Sequence, residues 1–265
     1  MFLSKLESLT NALKLINDHQ KLMEIEEIPI GETHKRVLAE DVMAYHDSPP
    51  FDKSAMDGFA LKGENTFGAS QSAPKEFKVI DAIGAGDFSS KTVGENEAIV
   101  IATGAPIPKG ADAVIMKEYT TTDNDNLTIY SQVTPGENVS PKSEDIRKGE
   151  KILSKNTFIR YQEMGLIASA GYDTVKVFKK PKVLVIITGN ELVEPTKEEI
   201  DKAKIINSNQ FTIKAMIEDS GAIAEITHAG DTFDEVRSAV LDASEDYDVI
   251  MTTGGTAIRD RKSVV

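Results

Sequence analysis

The chain has 265 residues, 40% of them hydrophobic, a formal charge of −13 and no cysteine. That length allows two or more cores, and the missing thiols exclude disulfides, thiolate zinc sites and cysteine nucleophiles. The acid excess argues against nonspecific nucleic-acid binding, and no apolar run approaches the roughly 20 residues of a membrane span.

The first residues carry charges too early for a secretory leader, so the sequence predicts a cytoplasmic protein without nucleic-acid or membrane partners. Leu3, Leu6, Leu9, Leu13 and Ile16 recur at helical spacing and predict an amphipathic helix ending near Asn17. EEIPI (26–30) reads as a short strand and HKRVLAEDVM (34–43) as a second helix. HDSPPFDKSAMDGFAL (46–61) follows neither a two-residue nor a 3.6-residue beat. It reads as a loop in which Phe51, Met56 and Phe59 pack down while Asp47, Asp52 and Asp57 face a ligand.

From there to about Pro141 short β-rich runs alternate with Gly, Pro and Asn clusters: EFKVIDAI, EAIVIA, ADAVIMKE and LTIYSQV. TTTDNDN (120–126) reads as a plain turn between two of these strands. NTFIRYQEMGLIASAG (156–171) predicts a helix capped by Asn156 or Thr157 and ended by Gly171. From Lys182 onward the chain alternates: strand at 182–189, helix at 208–221 behind a Ser/Asn cap, strand at 222–230, helix at 231–245, strand at 247–255. This order implies a parallel sheet, and a three-stranded sheet followed by RKSVV reads as an unfinished domain.

Several loops offer anion-binding groups. In ATGAPIPKGADAVIMKE (102–118), Thr103 and Gly104 can present a hydroxyl and backbone N–H groups, although an ordinary hairpin connection is the favoured reading of that pattern alone. VIITGNELVEP puts Thr188, Gly189, Asn190 and Glu191 at the C-terminal end of a strand, where open α/β sheets bind ligands. MTTGGTAIRD puts Thr252, Thr253, Gly254 and Gly255 at the same edge. Asp231 falls there too, as a ligand, as the cap of the next helix, or as both. GENVSPKSEDIRKG (136–149) carries Lys142, Glu144 and Asp145 and by spacing alone is a solvated turn. The four histidines lack metal-ligand spacing, so a metal would be held by oxygen, as magnesium beside phosphate is.

RVLAEDV…SPPFDKSAMDGFAL, ATGAPIPKGADAVIMKE, PGENV…EDIRKG, PKVLVIITGNELVEP, NSNQ and TTGG occur here in one order. That order resembles the molybdopterin molybdenumtransferase family (MoeA and the gephyrin E-domain). The resemblance implies an α/β multidomain fold. A helical linker domain (1–44 and 140–180) holds an inserted β-rich domain (45–139). A partial molybdopterin-binding, Rossmann-like three-layer α/β domain (181–265) follows, and the family's C-terminal β domain is missing. It implies a homodimer whose active site lies between subunits, supplied by a molybdopterin adenylyltransferase-type protein. The implied reaction inserts molybdate into adenylylated molybdopterin and releases AMP, assisted by Mg2+.

Carried over position by position, the resemblance makes Asp57, Thr103, Asp145, Glu191 and Asp231 catalytic, with Glu191 and Asp231 also holding the metal. It assigns Ser54, Gly104, Lys142, Thr188, Gly189, Ser208, Asn209, Gly254, Gly255 and Asp260 to substrate binding. The chain departs from the family pattern at residues 256–262, where Lys262 stands in place of an acid, and at Ser140, Pro141 and Ser143. A non-catalytic molybdopterin-binding or scaffold protein and a molybdopterin adenylyltransferase are the alternatives.

Overall fold

The computed structural model describes residues 8–254, so Leu3, Leu6, Gly255, Asp260 and the departures at 256–262 lie outside the described residues. The chain divides into two compact units. One holds Asp41–Leu153 with Gly165–Tyr172, and the other holds the remainder.

In the second of these units, helix α1 (Leu9–Asp18) begins at Ser8, whose Oγ accepts the Asn11 N–H at 3.1 Å. Its apolar stripe, Leu9, Leu13 and Ile16, is exposed. Strand β1 (Ile25–Pro29) pairs antiparallel with β12 (Thr174–Phe178). Residues 34–43, expected as a helix, form a turn at 34–35 and then short extended pairings at 37–38 and 42–43. Lys35 sits at φ 61°, and the backbone groups that follow bond across the chain: Leu38 N–H to Thr157 O at 3.0 Å and Ala39 N–H to Lys176 O at 2.9 Å. The same pairing shortens the next helix. Val37 bridges Phe158, and Asn156 and Ile159 donate to Leu38 and Arg36. Helix α2 therefore spans only Tyr161–Ser169, and neither Asn156 nor Thr157 caps it. The Glu163 carboxylate accepts the Arg160 N–H there, at 2.9 Å. Gly171, at φ 98°, follows its end as expected.

The other unit is built on a six-stranded sheet. In chain order its strands are β4 (Gly58–Leu61), β5 (Lys75–Ile83), β6 (Glu97–Ile101), β7 (Ala113–Met116), β8 (Thr120–Asp123) and β9 (Asn126–Ile129), arranged β7-β4-β6-β5-β9-β8. Only β5 and β6 run parallel; the other neighbours are antiparallel. Alternation splits the side chains between two cores. Phe59, Leu61, Phe77, Ile115, Leu127 and Ile129 fill one; Ala60, Ile99, Ile101 and Val114 fill the other.

Two expectations are corrected in this unit. GFAL is not loop: it is β4, paired on both sides and buried at all four positions. TTTD is not turn: these β-branched residues form edge strand β8, and the reversal is confined to Asn124, at φ 52°, and Asp125. The packing of 46–61 also differs, because Phe59 is buried whereas Phe51 and Met56 are exposed. Short pairs complete the unit: β2 (Val42–Met43) with β11 (Lys151–Leu153), and β3 (Lys53–Ser54) with β10 (Val139–Ser140).

The α/β part has the expected parallel sheet, β16 (Ile223–Ala229), β13 (Lys182–Thr188) and β17 (Val249–Thr253), with β13 in the middle. Val183–Thr188 are all buried because β13 is paired on both sides and covered by helix. Helix α4 (Phe233–Ala243) packs Ala239, Val240 and Ala243 against Leu184 and Ile186, while α3 (Asn209–Asp219) contacts β16 and β13. The caps differ from expectation. Thr232 caps α4 in a reciprocal pair with Glu235. Ser208 makes no capping bond to α3; the Asn207 amide oxygen accepts the Gln210 N–H at 3.3 Å instead. Strand β14 (Leu192–Val193) runs parallel to β15 (Ile205–Ile206). Among the described residues no helix is long and apolar enough to cross a membrane.

Candidate active site

Three blocks far apart in sequence meet in the β-rich unit. The acidic loop 46–57 lies between the Thr103–Gly104 turn and the loop 138–148. Gly104 N–H donates to Ser54 O at 2.8 Å, Ser54 N–H to Ala105 O at 2.9 Å, and Ile107 N–H to Asp52 O at 2.9 Å. On the other side Ala55 N–H donates to Asn138 O, and Lys142 N–H to the Asp52 carboxylate at 2.7 Å.

Asp57 is held at the tip of this assembly. One carboxylate oxygen accepts both the N–H and the hydroxyl of Thr103, each at 2.8 Å, and the other stands 3.8 Å from Lys117 Nζ. The Thr103 N–H is the main reason its carboxyl lies below the usual aspartate value; the Thr103 hydroxyl and Lys117 add to it. The group is ionised at neutral pH, half-exposed and fixed in direction. Gly104, at φ 85°, supplies the left-handed turn that lets Thr103 reach back.

Ser54 is buried, and its hydroxyl donates to Met56 O at 2.6 Å, so it pins the loop that carries Asp57. Lys142 reaches Asp47 at 3.2 Å. Asp47 is held down to about 2, first by the Lys148 N–H and then by the Lys142 and Ser143 side chains. Asp145 lies on the same loop with an exposed carboxylate, its N–H donating to Ser48 O at 2.9 Å. Ser143, where the family pattern has glycine, adopts φ 64°.

In the α/β part the expected residues gather at the C-terminal edge of the sheet. Thr188 donates its hydroxyl to Thr253 O at 2.7 Å, tying the two glycine loops together. Gly254 sits at φ 104°, and a Cβ there would stand 2.4 Å from Thr188 Oγ1, so glycine is required for this approach. Asp231 accepts the Asn190 N–H at 2.9 Å, which ties it to the Thr188–Glu191 loop. The Glu191 side chain is exposed beside Gly189. Ser208 and Asn209 begin α3, both exposed.

Sequence reasoning does not single out Lys117 or Lys204. Lys117 reaches Asp57 because β7 pairs with β4, and its N–H donates to Asp57 O at 3.2 Å. Lys204 Nζ donates to Asn190 O at 2.7 Å. Strand pairing is the only signal for the first, and none marks the second.

Among the described residues no three His, Cys, Asp or Glu side chains cluster as a metal cage. The α/β edge offers two carboxylates, Glu191 and Asp231, beside N–H-rich glycine loops. A hard cation that keeps waters and shares a phosphate oxygen fits such a donor set; a soft metal does not.

Comparison with known proteins finds relatives over nearly the whole chain. Residues 7–171 match the MoeA N-terminal region (domain I and II), and residues 184–264 match a probable molybdopterin binding domain. The chain is 40% identical over 250 residues to the molybdopterin molybdenumtransferase of Staphylococcus aureus strain N315, covering 94% of this chain and 59% of that protein. It is 39% identical over 257 residues to the Staphylococcus epidermidis ATCC 12228 enzyme of the same name, covering 96% of this chain and 60% of that one. The crystal structure of the molybdopterin biosynthesis moeA protein from Pyrococcus horikoshii OT3 superposes with a TM-score of 0.84 at 36% identity, over 94% of this chain and 67% of that one. The chain thus spans about three fifths of the curated relatives it matches. In sequence and in its α/β multidomain fold, the chain belongs to the molybdopterin molybdenumtransferase (MoeA) family.

Proposed function

We propose that this chain supplies the substrate-handling surfaces of a molybdenum insertase acting in molybdenum cofactor biosynthesis. Molybdate enters the dithiolene of adenylylated molybdopterin, and water opens the phosphoanhydride, so that one phosphate stays on the pterin and AMP leaves. The substrate brings its own sulfur, so a chain without cysteine is no obstacle. What such a substrate asks of the protein is charge stabilisation and positioning. The observation that carries this reading is the Asp57–Thr103 pair. A half-exposed carboxylate doubly anchored by a neighbouring turn is ordered for a purpose that stability does not require.

In this reading Asp57, Thr103 and Asp145 orient the reacting groups, with Gly104 and Lys142 on the same surface. Glu191 and Asp231 would hold Mg2+, which supplies Lewis-acid neutralisation of the phosphates. The loops at Gly189 and Gly254 offer backbone N–H groups to the phosphates, and Ser208 and Asn209 offer polar groups near the pterin. The active form is a homodimer in the cytoplasm, its site completed by the second subunit. The exposed apolar stripe of α1 supports an association of that kind. An adenylyltransferase-type protein delivers the substrate.

The test is AMP release from adenylylated molybdopterin with molybdate and Mg2+. Asp57→Ala should lower it by about a hundredfold, the scale of losing one charge-stabilising group, while the melting temperature stays put. Unchanged turnover would remove Asp57 from the mechanism.

A further inference from the structure

We propose that the unit containing the α/β sheet has a second ligand site, distinct from the glycine-loop edge. It would take a phosphorylated, amine-bearing ring compound the size of a nucleoside monophosphate. The site is a cavity of about 280 Å3 between the chain before β1, the segment at 35–37, the end of β12 and the C-terminus of α3. Five cations line it, Lys21, Lys35, Arg36, Lys179 and Lys180, and no carboxylate does. In a chain with 43 acidic and 30 basic residues such a wall is a local reversal of the overall field. The adjoining hollow shares Lys21, Lys179 and Lys180 but also has Glu24, Asp246 and Asp248, so the anion belongs in the first cavity.

The state of each cation selects the anion. Arg36 is 8% exposed; its Nη2 donates to both Glu26 and Phe178 O, and its Nε is buried without a hydrogen-bond partner, so it is too enclosed to present the bidentate fork that suits a carboxylate. Lys35 pairs with Asp219, and Lys179 with Glu24 at 2.7 Å. Lys21 and Lys180 have no hydrogen-bond or ion-pair partner among the described residues. Two mobile point charges suit a phosphate monoester.

The rest of the lining selects the body of the ligand. Phe178, Met23 and Leu22, the last 77% exposed, offer an apolar wall for a flat ring. Ser220 and Gly221 bring the carbonyl end of α3, which repels an anion and accepts ring amines, to the other side. A Cβ on Gly221 would stand 2.7 Å from Lys35 O, so this close approach is built in.

The experiment is a 13C-methyl methionine titration with AMP, adenosine and inorganic phosphate as probes. Met23 reports the cavity and Met251, on β17, reports the glycine-loop edge. AMP should shift Met23 saturably. Adenosine and phosphate should each bind at least tenfold more weakly. Lys21→Ala combined with Lys180→Ala should weaken AMP at Met23 at least tenfold while leaving the melt unchanged, because neither lysine has a partner to lose. The proposal is overturned if AMP leaves Met23 unshifted, moves Met251 alone, binds the double variant equally well, or is matched by phosphate. None of these outcomes overturns the insertase reading, which AMP release tests separately.

Discussion

Gly58 follows Asp57 and tests whether the floor of the candidate site is set by contact between strands. Its backbone is not in the left-handed region, so alanine is conformationally allowed there. The obstacle is steric. A Cβ would lie 2.0 Å from Ile115 O and 2.9 Å from Ile115 C, both backbone atoms of β7. Restoring an ordinary contact means parting β4 from β7 by more than an ångström, which breaks the Gly58↔Met116 pairing and the 3.2 Å bond from Lys117 N–H to Asp57 O. Overpacking of this kind against a neighbouring strand, plus a lost ladder hydrogen bond, costs about 3 kcal/mol. For a protein of this size that is a fall of roughly 6–12 °C in Tm. The control is Gly68→Ala. Gly68 sits at φ 86° with nothing within 4 Å of the added Cβ, so only backbone strain of about 1 kcal/mol applies, a fall of roughly 2–4 °C. Both are read by thermal unfolding at one pH and salt. If Gly58→Ala melts within the range of the Gly68→Ala control, the contact does not hold the strands, and the argument from Ile115 O to a fixed Asp57 fails.

Two carboxyls predict an acid limb of stability. Asp47 is lowered from 3.8 to about 2, chiefly by the Lys148 N–H, and Glu163 from 4.5 to about 2, chiefly by Arg160. A depressed carboxyl stabilises the fold above its unfolded value and loses that contribution as pH falls through the folded one. Tm should therefore drop between about pH 4.5 and 2, and Asp47→Asn should flatten part of that slope; parallel curves for variant and parent would disprove the link. On α1, glutamate at Leu9, Leu13 and Ile16 together should convert the proposed dimer to monomer in sedimentation while leaving the far-ultraviolet spectrum nearly unchanged; a dimer that persists would assign the interface to another surface, and a parent that is already monomeric would remove the dimer.

How much of this was legible in the sequence depended on where each segment finds its hydrogen bonds. The α/β part was legible because its elements bury themselves locally. KVLVIITG is apolar throughout because β13 is central, and the helix after it ends where Gly221 takes φ 92°. Segments 34–43 and 156–160 were both expected as helix, and both were misread for one reason. They are each other's partners, Val37 against Phe158 and Leu38 against Thr157, about 120 residues apart. Apolar spacing around Val37, Leu38 and Val42 fits a helix as well as an extended ribbon, and only the distant partner decides. GFAL was missed because a four-residue strand buried on both faces has no alternation to show. TTTD was missed because an exposed edge strand has none either.

The candidate site has the same character. Its residue types stood in the sequence, while its geometry came from pairing. Asp57 and Asp231 lie in different units, yet both are anchored the same way, by a backbone N–H from a glycine-bearing loop 46 and 41 residues away, Thr103 in one case and Asn190 in the other. A lysine from a third segment attends each: Lys117 at the Asp57 carboxylate, Lys204 at Asn190 O. At Asp57 the N–H bond to one oxygen lowers the carboxyl below the usual aspartate value and aims it without burying it. The desolvation cost stays low, and the group can still meet a cation or an incoming phosphate. A structural ion pair would be served by a direct lysine contact and would not need Gly104 or Gly189 at positive φ beside it. The recurrence of this construction in two unrelated architectures argues for ligand handling over stability at both places.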